Sequence, residues 1–468
     1  MVTWDEQIDV VVVGSGAAGL SAAIEASQAG ASVIVFEKMK AAGGNTRISD
    51  GSLAAAGNYL QKRMGVEDSP QLFYEDMLRA GQRLNHPHLA RMVAERSAEA
   101  IEWTRRALGV AYLERLDRFG GHSVARCLTT HNHVGADITR AQKARLAQLG
   151  VEIRTRNLLT GLHTDSSGAV TGVQIRSGHD FGQTDSGTMR NVRARRAVVL
   201  ASGGFANDVR FRALQDPGLG AGIESTNHAG ATAEGLLAAL RVNALPVHLS
   251  WIQTGPWGCP DEVGYGRGAS FASYAVYPAG ILVDPATGSR MVNEWADRKQ
   301  RSDALFEAGH PCVGLVDRRG AERGAESLRR CLRRGTVGAF ETLTELAAAY
   351  GMPRGQLEAT VRRYNGMIRR GEADAFGKPL DQSGAESLDE APFYAIRLWP
   401  KVHYTPGGVA IDAHARVLDL NGRAIPGLYA AGEVCGGVHG ASRLGSCALT
   451  ECIVFGRIAG QRAATQPV

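Results

Sequence analysis

Residues 8–13 read Ile-Asp-Val-Val-Val-Val, a β-branched run that suits a strand buried on both faces of a parallel sheet. Gly14-Ser15-Gly16-Ala17-Ala18-Gly19 follows at once, and the stretch from Leu20 to Ala29 has the composition of a helix. A second apolar strand runs from Ser32 to Phe36 and ends at Glu37. Two later apolar runs also end in small residues. One is Val198-Val199-Leu200-Ala201-Ser202-Gly203-Gly204-Phe205, and the other is Gly427-Leu428-Tyr429-Ala430-Ala431-Gly432-Glu433. Strand, glycine turn, helix and strand in this order predict an α/β, Rossmann-like domain.

The turn carries chemistry. Glycines at 14, 16 and 19 permit a tight bend and close approach of backbone to a pyrophosphate, and the helix behind them offers free N–H groups to it. Glu37 lies 21 positions after Gly16, where an acid accepts hydrogen bonds from ribose hydroxyls. An adenine dinucleotide is therefore expected. Gly43-Gly44-Asn45-Thr46, just beyond the second strand, lets the chain pass along the cofactor and points to FAD. Chain-wide, 58 glycines in 468 residues is well above the usual share of about 7%. Part of that excess belongs to these segments.

Charge and cysteine usage narrow the partners. With 52 basic and 47 acidic residues the net charge is +5, too mild to demand a polyanion. The densest basic runs, Arg329–Arg334 and Arg193–Arg196, contain no aromatics that could stack on bases, so no nucleic acid is expected. Seven scattered cysteines without a CxxC pair argue against a disulfide framework or a metal site and suit a reducing, cytoplasmic setting. No apolar run approaches the roughly 20 residues of a membrane helix, so no membrane insertion is expected.

With these segments in hand, the chain resembles the fumarate reductase and succinate dehydrogenase flavoprotein superfamily, relatives of which include urocanate reductase and the ketosteroid dehydrogenases. The resemblance also rests on Gly230-Ala231-Thr232-Ala233-Glu234-Gly235 and Asn293-Glu294-Trp295-Ala296-Asp297-Arg298, and most of all on Ala431–Ser446. It implies a discontinuous FAD-binding domain, residues 1–242 and 395–468, interrupted by an α+β capping domain, residues 243–394, with the active site between the two. Expected cofactor contacts are Gly14, Gly16, Ala18, Gly19, Glu37, Lys38, Gly44, Asn45, Thr46, Gly51, Ser202, Gly203, Gly432, Glu433, Ser446 and Leu449. The helix starting near Ser446 resembles the one aimed at the flavin pyrimidine. Members with covalent FAD use a histidine where this chain has Asn45-Thr46, so non-covalent FAD is expected.

Three residues match substrate-handling positions of the family. Arg443 and His403 resemble the pair that holds a substrate carboxylate, and a guanidinium fork suits that task. Arg298 resembles the residue that moves the proton, although guanidinium is a poor acid. The chain departs from the family at the clamp for a second carboxylate. It reads Gln253-Thr254-Gly255-Pro256-Trp257, and the proton-relay positions read Ala272-Ser273 and Val276. Fumarate and succinate therefore become poor candidates. Aromatics crowd residues 251–295, and Trp257, Phe271 and Tyr277 are expected to shape an apolar substrate slot, with Tyr274 and Tyr404 as proton carriers. Together these features predict an FAD-dependent dehydrogenase or desaturase of a mid-sized cyclic oxo-acid, for example a 4-oxocyclohexanecarboxylate, passing electrons to an unspecified acceptor (oxygen, a quinone or a partner protein). An enoate reductase of the fumarate or urocanate type, fed by a separate donor, is the alternative.

Overall fold

The computed structural model describes residues 2–183, 185–381 and 383–467. It resolves into two compact units. Unit 1 comprises residues 1–220, 228–252 and 404–468, and unit 2 comprises residues 221–227 and 253–403.

Unit 1 is built on a mixed sheet. Strand β1 (Glu6–Val13) leads through the glycine turn into helix α1 (Ala17–Gln28), and strand β2 (Val33–Phe36) returns beside β1. Strands β3 (Glu152–Arg154), β4 (Thr188–Leu200), β5 (Arg416–Leu418) and β6 (Ala424–Ala430) complete the order β5-β6-β4-β1-β2-β3. All neighbours are parallel except β5 and β6. An antiparallel pair, Asn157–Thr164 and Val170–Ser177, continues from β4. Val10 to Val12 have no exposed surface, as a doubly covered parallel strand requires.

Helix α2 (Cys447–Thr465) packs on α1, and the approach is made possible by two glycines one turn apart. A methyl group on Gly456 would lie 2.5 Å from the Ala18 carbonyl oxygen, and one on Gly460 would lie 2.1 Å from that of Ala22. Small residues at this spacing let two backbones meet where any larger pair would hold them apart.

Unit 2 carries a five-stranded antiparallel sheet in the order Ser289–Arg290, Ile281–Asp284, Cys312–Val316, Phe393–Leu398, Val337–Phe340. Successive side chains enter different cores: Ile281, Val283, Val313 and Leu315 join one cluster, while Leu282, Cys312 and Val316 join the other. That is the period of two expected of a strand with both faces covered. Among the described residues no helix is long and apolar enough to cross a membrane.

Candidate cofactor and substrate site

The turn between β1 and α1 opens onto a cleft within unit 1. Its wall includes Gly14, Gly16, Ala18, Glu37, Lys38, Gly44, Asn45, Thr46, Ser202, Gly203, Gly432 and Glu433. The glycines at its start do different jobs. Gly14 has φ +103°, and a Cβ there would lie 2.2 Å from the Ala201 carbonyl oxygen, so this residue is fixed by the protein itself. A Cβ on Gly16 would meet no protein atom closer than 3.7 Å, and on Gly203 none within 4 Å, so the space beside them is open to a ligand.

Polar groups knit the turn from a distance in sequence. Ser15 donates from N and Oγ to Glu37 Oε2, its Oγ accepts from Gly43 N at 3.0 Å, and Met39 N donates to Glu37 Oε1 at 2.8 Å. An ionised carboxylate accepts about four bonds, which leaves Glu37 with capacity for a ribose hydroxyl. Thr46 Oγ1 accepts from Ala17 N at 3.1 Å and so occupies one of the free donors of α1. Asn45 Oδ1 accepts from His228 N at 3.0 Å. The Lys38 ammonium is engaged by Glu234 at 2.8 Å and by Thr232.

At the other end of the cleft, Glu433 accepts from Thr405 N at 2.9 Å and from Thr405 Oγ1 at 3.3 Å. Burial pushes its carboxyl up to about 7, against the opposing pull of the Thr405 N–H and of Arg443. A carboxyl so placed gains from any further donor, and cofactor hydroxyls are such donors. The cleft therefore fits a long, hydroxyl-bearing dinucleotide.

Four expected contacts are not part of this wall. Gly51 is fixed by packing, since a Cβ there would lie 2.4 Å from Thr130 Oγ1. Ser446 takes φ +60° at the cap of α2 and donates to Ser52 Oγ at 2.9 Å. Leu449 sits in the first turn of α2 within the unit 1 core. Gly19 packs against the turn itself, a Cβ there lying 2.0 Å from the Gly14 carbonyl oxygen.

The substrate-handling candidates fall into two groups. In unit 1, buried Arg443 places its guanidinium 4.8 Å from the ring centre of Tyr404 and donates to the Leu444 carbonyl at 3.0 Å. The Tyr404 hydroxyl donates to Glu451 Oε2 at 3.1 Å, and His439 Nε2 lies 3.2 Å from the same oxygen. Burial and the neighbouring Glu451 push the Tyr404 phenol far above its ordinary range. Tyr404 is thus a buried ring against which the Arg443 guanidinium rests, with its hydroxyl engaged by Glu451.

In unit 2, Trp257 is the hinge of the arrangement. Its ring meets that of His403 edge-on at 5.1 Å, and the Arg298 guanidinium lies 4.5 Å from its centre. Arg298 opens the helix Arg298–Ala308, capped by Asp297, and donates to Gln253 Oε1 at 3.2 Å. His403 Nδ1 lies 2.7 Å from Thr226 Oγ1, and Tyr265 stands beside its ring at 6.3 Å. Tyr274 is half-buried in the turn Ala272–Val276.

Two further candidates sit deeper in unit 2. Phe271 has no exposed surface and belongs to the apolar core of unit 2. Tyr277 is 2% exposed, donates its hydroxyl to the Pro256 carbonyl at 2.7 Å and stacks under Arg301 at 4.3 Å. Thr226 and Glu451 escaped the sequence reading because their partners, His403 and Tyr404, lie far away in the chain and no local pattern marks them.

The comparisons agree with this geometry. A family model described as an FAD binding domain matches residues 9–449. The chain is 41% identical over 467 residues to the acrylate reductase flavoprotein subunit of Shewanella woodyi, covering 98% of this chain and 92% of that one. Among solved structures, the open conformation of a flavocytochrome c3 fumarate reductase superposes with a TM-score of 0.77 at 32% identity, covering 98% of this chain and 78% of that one. The 3-ketosteroid-Δ4-(5α)-dehydrogenase of Rhodococcus jostii gives a TM-score of 0.77 at 26% identity, covering 100% and 98%. Glycine turn, cleft, full-length match and shared fold together place this chain in the fumarate reductase and succinate dehydrogenase superfamily of flavoproteins, as an FAD-binding oxidoreductase acting on CH–CH groups.

Proposed function

We propose that this protein reduces the C=C bond of a short α,β-unsaturated monocarboxylate. The observation that carries the reading is Trp257. An indole stands against both Arg298 and His403, beside Gln253, in the segment where fumarate reductases hold a second carboxylate. An apolar wall there desolvates a second charge without pairing it, which costs more than a small apolar substituent does. The similarity to an acrylate reductase subunit supports the same substrate class and moves the preferred direction from desaturation to reduction.

In this scheme Arg443 and His403 bind the single carboxylate, and that interaction draws electron density from the conjugated double bond. FAD, when bound and reduced, supplies the hydride received by the β carbon. Arg298 delivers the proton to the α carbon and is recharged from solvent. Two electrons and two protons convert the enoate to the saturated acid, the electrons coming from a separate donor. Unit 2 serves as the capping domain. Asn45 and Thr46 stand where members with covalent FAD carry a histidine, and both are engaged by hydrogen bonds; FAD is held non-covalently in this reading, and acid precipitation is expected to release it.

The test is anaerobic. Protein reduced with dithionite is mixed with acrylate, methacrylate, fumarate and urocanate while flavin absorbance is followed. Acrylate or methacrylate restores the oxidised spectrum at least tenfold faster than fumarate, and Arg443→Ala abolishes the response. If no enoate reoxidises the flavin while a saturated cyclic oxo-acid bleaches the oxidised protein, desaturation is the correct reading.

A further inference from the structure

An anionic pyrophosphate takes backbone N–H groups from the glycine turn and the start of α1, and side-chain donors in the lining add to them. The basic residues of that lining are Lys38 and His228. Lys38 is engaged by Glu234 and Thr232, and the N–H of Ala17 is taken by Thr46 Oγ1. His228 remains.

Its main chain is pinned on both sides. The His228 N–H donates to Asn45 Oδ1 at 3.0 Å, and its carbonyl accepts from Ala231 N at 3.0 Å. The ring is fixed as well, because Nδ1 accepts the backbone N–H of Gly230 at 3.0 Å. A ring nitrogen that accepts an N–H carries no proton, so in the neutral ring the proton sits on Nε2. On that flank a Cβ on Gly230 would lie 2.8 Å from His228 Cε1 and 2.7 Å from Met39 Sδ, so the ring is held against backbone. Burial lowers the imidazole below its ordinary pKa; Glu37 pulls it up and Lys38 pushes it further down.

Nε2 is directed to the start of the cleft. A Cβ built on Gly44 would lie 3.9 Å from Nε2 and 3.6 Å from Gly16 Cα, so imidazole, Gly44 and Gly16 border the same space. No acceptor is recorded for Nε2 among the described residues. The geometry points to His228 as a hydrogen-bond donor, through Nε2–H, to a phosphate oxygen on the ADP half of FAD. This role is independent of the substrate reading and stands whether or not the substrate is an enoate.

Two measurements test it. In the holoprotein with ¹⁵N-labelled histidine, His228 at pH 7 shows the Nε2–H tautomer; an Nδ1–H tautomer or an imidazolium overturns the assignment. In parallel, FAD release on dilution is followed by flavin fluorescence for wild type, His228→Ala and His228→Gln. A hydrogen bond to a charged group predicts roughly a tenfold or greater loss of FAD affinity for the alanine variant, with partial recovery by the glutamine amide. One ³¹P resonance of the bound pyrophosphate moves in the alanine variant while the flavin absorption spectrum stays that of wild type. Wild-type retention of FAD with both ³¹P resonances unmoved overturns the proposal. So does equal loss in both variants accompanied by a lower melting temperature of the flavin-free protein, which marks a packing role.

Discussion

Glu433 illustrates what a single buried carboxyl does to the protein. Burial lifts its pKa to about 7; the Thr405 N–H and Arg443 oppose the lift, and Glu451 adds to it. In the flavin-free protein the folded state keeps this proton after the unfolded state has lost it near the ordinary value of 4.5. The folded state then binds more protons, and the contribution of this group to stability falls as pH rises from about 4.5 to about 7. Glu433→Gln removes that component, so the melting temperature of the flavin-free variant falls less across this window than that of wild type. An equal slope in both proteins rules the assignment out. At the same scale the sequence was readable only in part. Glu433 was legible because it follows a strand end, whereas the fates of Phe271, Tyr277 and Tyr404 were not. An aromatic count does not say which face of a turn a ring occupies, and the partner of Tyr404 lies 47 residues away at Glu451.

Secondary structure was more legible where the pattern is local. Strand β1, the glycine turn, α1 and β2 follow from consecutive residues, and the structure places them as expected. The contact between α1 and α2 was not legible, because it joins segments more than four hundred positions apart through glycines that, read alone, weaken a helix. Two substitutions separate propensity from packing. Gly366→Ala lies within the helix Gln356–Arg370, and its new methyl meets the guanidinium of Arg370 at 2.9 Å, the far end of a flexible side chain. It gains up to about 1 kcal/mol from helix propensity. Gly460→Ala has the same intrinsic gain, but its methyl lies 2.1 Å from the Ala22 carbonyl oxygen, which is rigid backbone. The repacking costs about 1–3 kcal/mol and outweighs that gain. Urea unfolding of the two variants checks the opposite signs; a stabilised Gly460→Ala would show that α1 and α2 separate freely.

For the whole molecule, chain order and structural unit disagree. Unit 1 is assembled from three stretches of sequence: its central strands β1 and β4 come early, while β6 and α2 come from the last 45 residues. A chain that ends before residue 424 therefore loses β6, which stands between β4 and β5, and also the helix packed on α1. Unit 2 is different, since nearly all of it is one continuous stretch, residues 253–403, containing all five strands and both apolar clusters. At about 150 residues such a stretch is long enough to bury roughly two thirds of its unfolded surface. Cutting it out removes residues 221–227, and with them the bond from Thr226 N to Val402 O and the 2.7 Å ion pair of Lys401 with Glu224, both at one margin. The isolated 253–403 segment is expected to fold, unfold cooperatively in urea and show dispersed amide resonances, without binding FAD. A chain truncated at residue 420 is expected to be insoluble or unfolded. If the isolated segment lacks a cooperative transition, its two clusters depend on the rest of the chain, and the division into units does not describe how the protein holds itself together.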